Sequence, residues 1–126
     1  MIRRLAAAGV VSLALPLAIL AAAPANAASN WSSDGKAGAQ AWGTVSYKGG
    51  RIYIKGTLKD VKADKHSARL RIRFQDSPGI PRYEQVSVGG YGKSRSFAYN
   101  SGKDYVAVQE CVYNGWGETC GRWKWL

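Results

Sequence analysis

The sequence predicts an all-β domain, an antiparallel β-sandwich of about seven strands with a disulfide-closed hairpin at its C-terminal end. Three observations carry this. Apolar and arginine residues alternate without a break in Ala68-Arg69-Leu70-Arg71-Ile72-Arg73-Phe74. A strand points successive side chains to opposite faces, so the run turns four apolar groups inward and three arginines outward. Strand-like runs recur at roughly ten-residue spacing, separated by turns rich in glycine, proline or asparagine. No stretch beyond residue 27 shows a 3.6-residue apolar period.

In chain order, Arg3 and Arg4 precede an apolar run over residues 5–20, interrupted by Pro16, and Ala25-Asn26-Ala27 follows. These are the positive, apolar and small-residue parts of a secretory signal peptide, expected over residues 1–27. The apolar run is shorter than the ~20 residues a membrane span needs. Residues 28–40 are small and polar and read as a flexible N-terminal arm. Its one large side chain, Trp31, is either a docking anchor or a residue that folds back on the domain.

The β-sandwich domain is expected over 41–126. Strands are predicted at 42–47, 51–58, 68–74, 83–88, 93–99, 105–113 and 120–126. Lys48-Gly49-Gly50 turns the first into the second, and a charged loop over 59–67 follows. Asp76-Ser77-Pro78-Gly79-Ile80-Pro81 is a loop by composition, Gly89-Gly90 ends the fourth strand, and Asn114-Gly115-Trp116-Gly117 tops the last hairpin. With the turn centred on Gly115 and Trp116, Cys111 and Cys120 fall opposite each other. Cβ atoms of such pairs lie about 4.5–5.5 Å apart, close to bridging distance. In an oxidising compartment a disulfide is the natural reading of two cysteines.

The chain carries 18 basic and 8 acidic residues. Two of the basic residues and none of the acidic ones lie in the leader. The secreted chain therefore keeps 16 against 8, a net charge of +8 on 99 residues. A secreted domain of this charge is drawn to an acidic protein partner or an anionic envelope polymer, and nucleic acid is a less natural target outside the cell. If strands 51–58 and 68–74 share a sheet, Arg51, Tyr53, Lys55, Arg69, Arg71 and Arg73 combine into one cationic surface suited to phosphate or carboxylate. Trp31 and Trp116 are the candidate aromatic contacts. Trp123 and Trp125 alternate on one strand and read as core.

No catalytic set, metal site or cofactor is assigned. The single histidine, His66, sits in the charged loop with Asp60 and Asp64, and no nucleophile-elbow sequence is present. Glu84, Glu110, Glu118 and Asp76 supply carboxylates, yet a domain this short leaves little room for a deep substrate groove. The enzyme alternative is a small secreted ribonuclease using Glu84, His66 and arginines, though that family's local motifs are missing. Lysines 59, 62 and 65 between the loop aspartates argue against a cation site.

The Ala-rich leader, Gly56-Thr57-Leu58-Lys59-Asp60 with Lys62-Ala63-Asp64, the alternating 68–74 run and the Cys111–Cys120 hairpin resemble small secreted proteins of filamentous actinobacteria. The chain is also similar to the small adaptor subunit of secreted antibacterial toxin particles (umbrella toxins). That resemblance implies a compact β-domain whose N-terminal extension docks, and it carries over no site residues. The expected function is a non-enzymatic, secreted, basic binding protein, acting as an interaction or adaptor component of an extracellular assembly. The alternatives are a cell-wall or carbohydrate-binding module and a small antimicrobial protein acting on anionic membranes.

Overall fold

A computed structural model describes residues 28–33 and 38–126. The signal-peptide reading of residues 1–27, and Asp34 in the arm, lie outside the described residues. The chain forms β1 (Ser29–Ser32), β2 (Ala39–Lys48), β3 (Arg51–Asp60), β4 (Ser67–Gln75), β5 (Arg82–Gly89), β6 (Ser94–Ser101), β7 (Tyr105–Tyr113), β8 (Glu118–Cys120) and β9 (Lys124–Trp125). Among the described residues no helix is long and apolar enough to cross a membrane.

Among the described residues all strand pairs are antiparallel and fall into two sheets. Sheet I runs β9-β7-β4-β5, with β8 also pairing β7; sheet II runs β1-β2-β3-β6. The 68–74 alternation lies within β4, where Ala68, Leu70, Ile72 and Phe74 are fully buried and every intervening residue is half-exposed. Ile52, Ile54 and Leu58 of β3 show the same alternation and meet them in one core cluster, with Val106 and Val108 of β7. The predicted all-β sandwich is therefore present. Cys111 stands opposite Cys120 in the β7–β8 ladder and the two are bonded, with Cα atoms 4.1 Å apart.

Two expected elements differ. Part of the arm is a strand, because Trp31 is buried and β1 pairs with residues 42–45 of β2. The last predicted strand is two short ones, β8 and β9, separated by residues 121–123, where the Gly121 N–H donates to the Glu110 carbonyl at 2.9 Å.

The seat of Trp31 is a row of residues across sheet II. Trp31 pairs with Gly43, Gly43 with Gly56, and Gly56 with Phe97. Trp31 and Phe97 sit on the two outermost strands, yet their ring centroids are 6.1 Å apart. Two missing side chains in the middle of the row leave the space in which the rings meet.

Buried carboxylates close the open ends. Asp60, 1% exposed, accepts the Gly90 N–H on Oδ2 at 3.0 Å and the Lys62 N–H on Oδ1 at 3.3 Å. It ties the β3–β4 loop to the β5–β6 loop. Glu110 breaks the inward pattern of Val106 and Val108, and its Oε2 accepts the Ser33 hydroxyl and the Ala41 N–H, the latter at 3.0 Å. This joins β7 to the end of β1 and the start of β2. At another rim, the Arg82 guanidinium lies 4.7 Å from the Phe74 ring, pairs with Glu84 at 2.5 Å and donates to the Asn100 carbonyl in sheet II at 2.9 Å.

Asp60→Ala removes an acceptor from two loop amides, at an expected cost of about 1–3 kcal/mol. Amide hydrogen exchange at Lys62 and Gly90 should accelerate while the centre of β4 stays protected, which two-dimensional NMR reads directly.

Candidate anion-binding and aromatic faces

The two basic trios do not form one surface. β3 belongs to sheet II and β4 to sheet I, so Arg51, Tyr53 and Lys55 point away from one side of the sandwich and Arg69, Arg71 and Arg73 from the other. The connection over residues 61–66 carries the chain across the core instead of turning a hairpin, and β6 takes the edge of β3.

On sheet I the arginines are partnered. Glu118 of β8 binds the Arg69 guanidinium at 3.2 Å and pairs with Arg71 through its other oxygen. Arg69 also lies over the Tyr113 ring, 3.9 Å from its centroid. Arg73 sits between Tyr83 and Trp125, at 5.9 and 5.7 Å. Like charges at alternate positions repel, and here a carboxylate and three aromatic faces offset that repulsion. This trio is a structural network, with Arg69 only 25% exposed.

Sheet II is the opposite case. Its outer face carries Lys48, Arg51, Lys55 and Lys59, and no strand of the sheet places a carboxylate there among the described residues. Lys48 stands directly opposite Arg51, a like-charge pair that costs folding energy. Arg51 is oriented by Asn100, whose Oδ1 accepts its Nε at 3.1 Å and Nη2 at 2.7 Å. Tyr53 and Trp42 are the exposed aromatics, at 39% and 41%. Lys48, Arg51, Tyr53, Lys55 and Asn100 line one groove of about 650 Å³.

The aromatic residues are redistributed. Trp31, expected as an aromatic contact, is buried in the core, for the reason given by its glycine row. Trp116 stands clear of the fold at the hairpin tip, 95% exposed, where the Asn114 side chain accepts the Trp116 and Gly117 N–H groups. Trp123 and Trp125, expected in the core, lie on the outer face of sheet I. Trp125 pairs with Ala107, which shares its face with Arg73, and Trp123 packs against Tyr83 with centroids 6.2 Å apart. Tyr105 meets Trp125 edge-on at 6.4 Å. Reading alternation alone puts the two tryptophans on one face without saying which; the ladder with Ala107 decides it.

The residues weighed for catalysis are dispersed. His66 binds Asp64 through Nδ1 at 3.3 Å in the loop ahead of β4, whereas Glu84 lies opposite Ile72 in mid-strand and pairs with Arg82. Asp76 pairs with Lys103 at 3.2 Å, and Glu110 faces the interior.

Comparison with protein-family models, with curated proteins and with solved structures returned no match.

Proposed function

We propose that the protein is a secreted, non-catalytic binding protein that holds an anionic envelope polymer on the outer face of sheet II. The carrying observation is the groove lined by Lys48, Arg51 and Lys55, with Tyr53 exposed beside them and no carboxylate on the face among the described residues. Folding gains nothing from setting Lys48 against Arg51. A flat, open, cationic groove suits a repeating chain of phosphates or carboxylates, whose charges arrive in a row. The Cys111–Cys120 bond accords with an oxidising compartment. An adaptor role docked through Trp31 has less support, because that side chain is buried in its own sheet.

The test is retention on immobilised teichoic acid along a salt gradient, with uncharged dextran as the blank. Changing Lys48, Arg51 and Lys55 together to glutamine should weaken binding by roughly tenfold, since three exposed cations contribute about 1–3 kcal/mol in all. A control changing Lys62, Lys65 and Lys93 to glutamine removes the same net charge from loops. Equal loss in both variants would mean that only overall charge matters, and the sheet II site would be wrong.

A further inference from the structure

The outer face of sheet I carries a second cleft of different chemistry. It holds about 600 Å³ and is lined by Arg71, Tyr83, Glu84, Gln85, Gln109 and Trp123. Two strand pairings build it. Gln85 and Gln109 flank Arg71 on the neighbouring strands, so their amides and one guanidinium form the floor in a single row. Tyr83 lies one position along the same face of β5, and Trp123 arrives from the segment between β8 and β9 to stand beside it. The tilt between the two rings is 49°, which leaves an open angle instead of a closed stack.

The floor is electrically balanced. Arg71 is paired with Glu118, and Glu84, opposite Ile72, turns to the other side of β5, where it pairs with Arg82. Neither leaves an uncompensated charge to attract an ion. The exposed Gln85 amide offers a donor and an acceptor in one plane, and Gln109 offers its second Nε2 hydrogen. Gln109 is already fixed in orientation, because its Nε2 donates to the Gly121 carbonyl at 2.9 Å. Its Oε1 is buried and has no hydrogen-bond partner.

A ligand for this cleft needs a flat apolar side to lie on an aromatic ring and groups around its edge that both donate and accept hydrogen bonds. Phosphates and carboxylates fail, since they only accept and the Arg71 guanidinium is already paired with Glu118. An apolar ligand would leave the amides unsatisfied. A pyranose ring meets both demands, with C–H groups on its faces and hydroxyls at its rim. The size lies within the range of small-ligand sites.

We propose that the Tyr83–Trp123 cleft binds an uncharged sugar ring, stacked on an aromatic side chain and hydrogen-bonded through Gln85 and Gln109. The protein then has two glycan-facing surfaces on opposite sides of one sandwich, one for an anionic polymer and one for a neutral polysaccharide. This site stands on its own residues and does not depend on the sheet II reading.

The experiment titrates the intact folded protein with two neutral tetrasaccharides, chitotetraose and cellotetraose, following tryptophan fluorescence and the glutamine side-chain amide signals by NMR. At least one is expected to bind at millimolar concentration or better and to shift the Gln85 and Gln109 amides. Trp123→Ala should weaken that binding at least about tenfold. Gln85→Ala, on an edge strand where loss of fold is not a concern, should weaken it severalfold, and Trp116→Ala should leave it unchanged. Retention on teichoic acid should be the same in all three variants. Absence of binding by both tetrasaccharides, or binding that survives both Trp123→Ala and Gln85→Ala, would overturn the proposal.

Discussion

Gly43→Ala is expected to destabilise the protein by at least about 3 kcal/mol, although it adds a single methyl group. A Cβ at Gly43 would lie 1.9 Å from the Lys55 carbonyl oxygen and 2.5 Å from the Gly56 Cα. One at Gly56 would lie 2.2 Å from the Trp42 carbonyl oxygen and 3.1 Å from Phe97 Cζ. The obstacles are mainly backbone, so no side-chain rotation relieves them. β2 and β3 would have to separate in the middle of sheet II, and the contact between Trp31 and Phe97 would go with them. Urea unfolding followed by circular dichroism measures the loss. Gly117→Ala is the control, since nothing lies within 4 Å of a Cβ there. If Gly43→Ala unfolds at the wild-type midpoint, the two strands do not approach as closely as described.

Features set by local period were readable from the chain. The 68–74 alternation repeats in the burial of β4, and counting outward from Gly115 and Trp116 places Cys111 against Cys120. Both depend only on residues near one another in sequence. The assignment of strands to sheets does not. Alternation tells which side of a strand faces the core, and it is silent on which sheet the strand joins. β3 and β4 follow one another, and consecutive strands usually neighbour. Here the Asp60 carboxylate anchors a crossing to the other sheet. The condition that would join the two basic trios, a shared sheet for 51–58 and 68–74, is therefore not met.

Trp31 shows the same limit in a different form. The residues around it are small and polar, as in a linker, and its partner is an empty place left by Gly43 and Gly56. A glycine inside a strand signals a close approach or a bulge. Only the four-strand register shows that two such positions align and that an indole covers them. Arg69 and Arg71 look like free cations until Glu118 is brought alongside by the β7–β8 hairpin. In a sheet, the sign of a surface depends on cross-strand neighbours that are far away in sequence.

That dependence makes the disulfide the second large lever. Replacing Cys111 and Cys120 together with serine, or reducing the bond, should lower stability by roughly 2–3 kcal/mol, the closure entropy of a loop this short. The melting temperature of a domain of this size would then fall by roughly 10–20 °C. Cys111 is fully buried, so a serine there adds the cost of a buried hydroxyl. The consequence reaches beyond stability. β8 is three residues long and is held to β7 by the bond and by a short ladder, and it alone carries Glu118. Once the bond opens, β8 frays and the carboxylate leaves Arg69 and Arg71. Sheet I then exposes the uncompensated cations it hides in the oxidised protein. Below the melting transition, reduced protein should therefore elute from teichoic acid at higher salt than oxidised protein, even though it is less stable. Glu118→Gln with the bond intact should give the same shift in elution with a smaller fall in melting temperature. If reduction weakens the fold and leaves elution unchanged, Glu118 holds the arginines without help from the bond. The hairpin and the ion pairs would then be independent features of the same face.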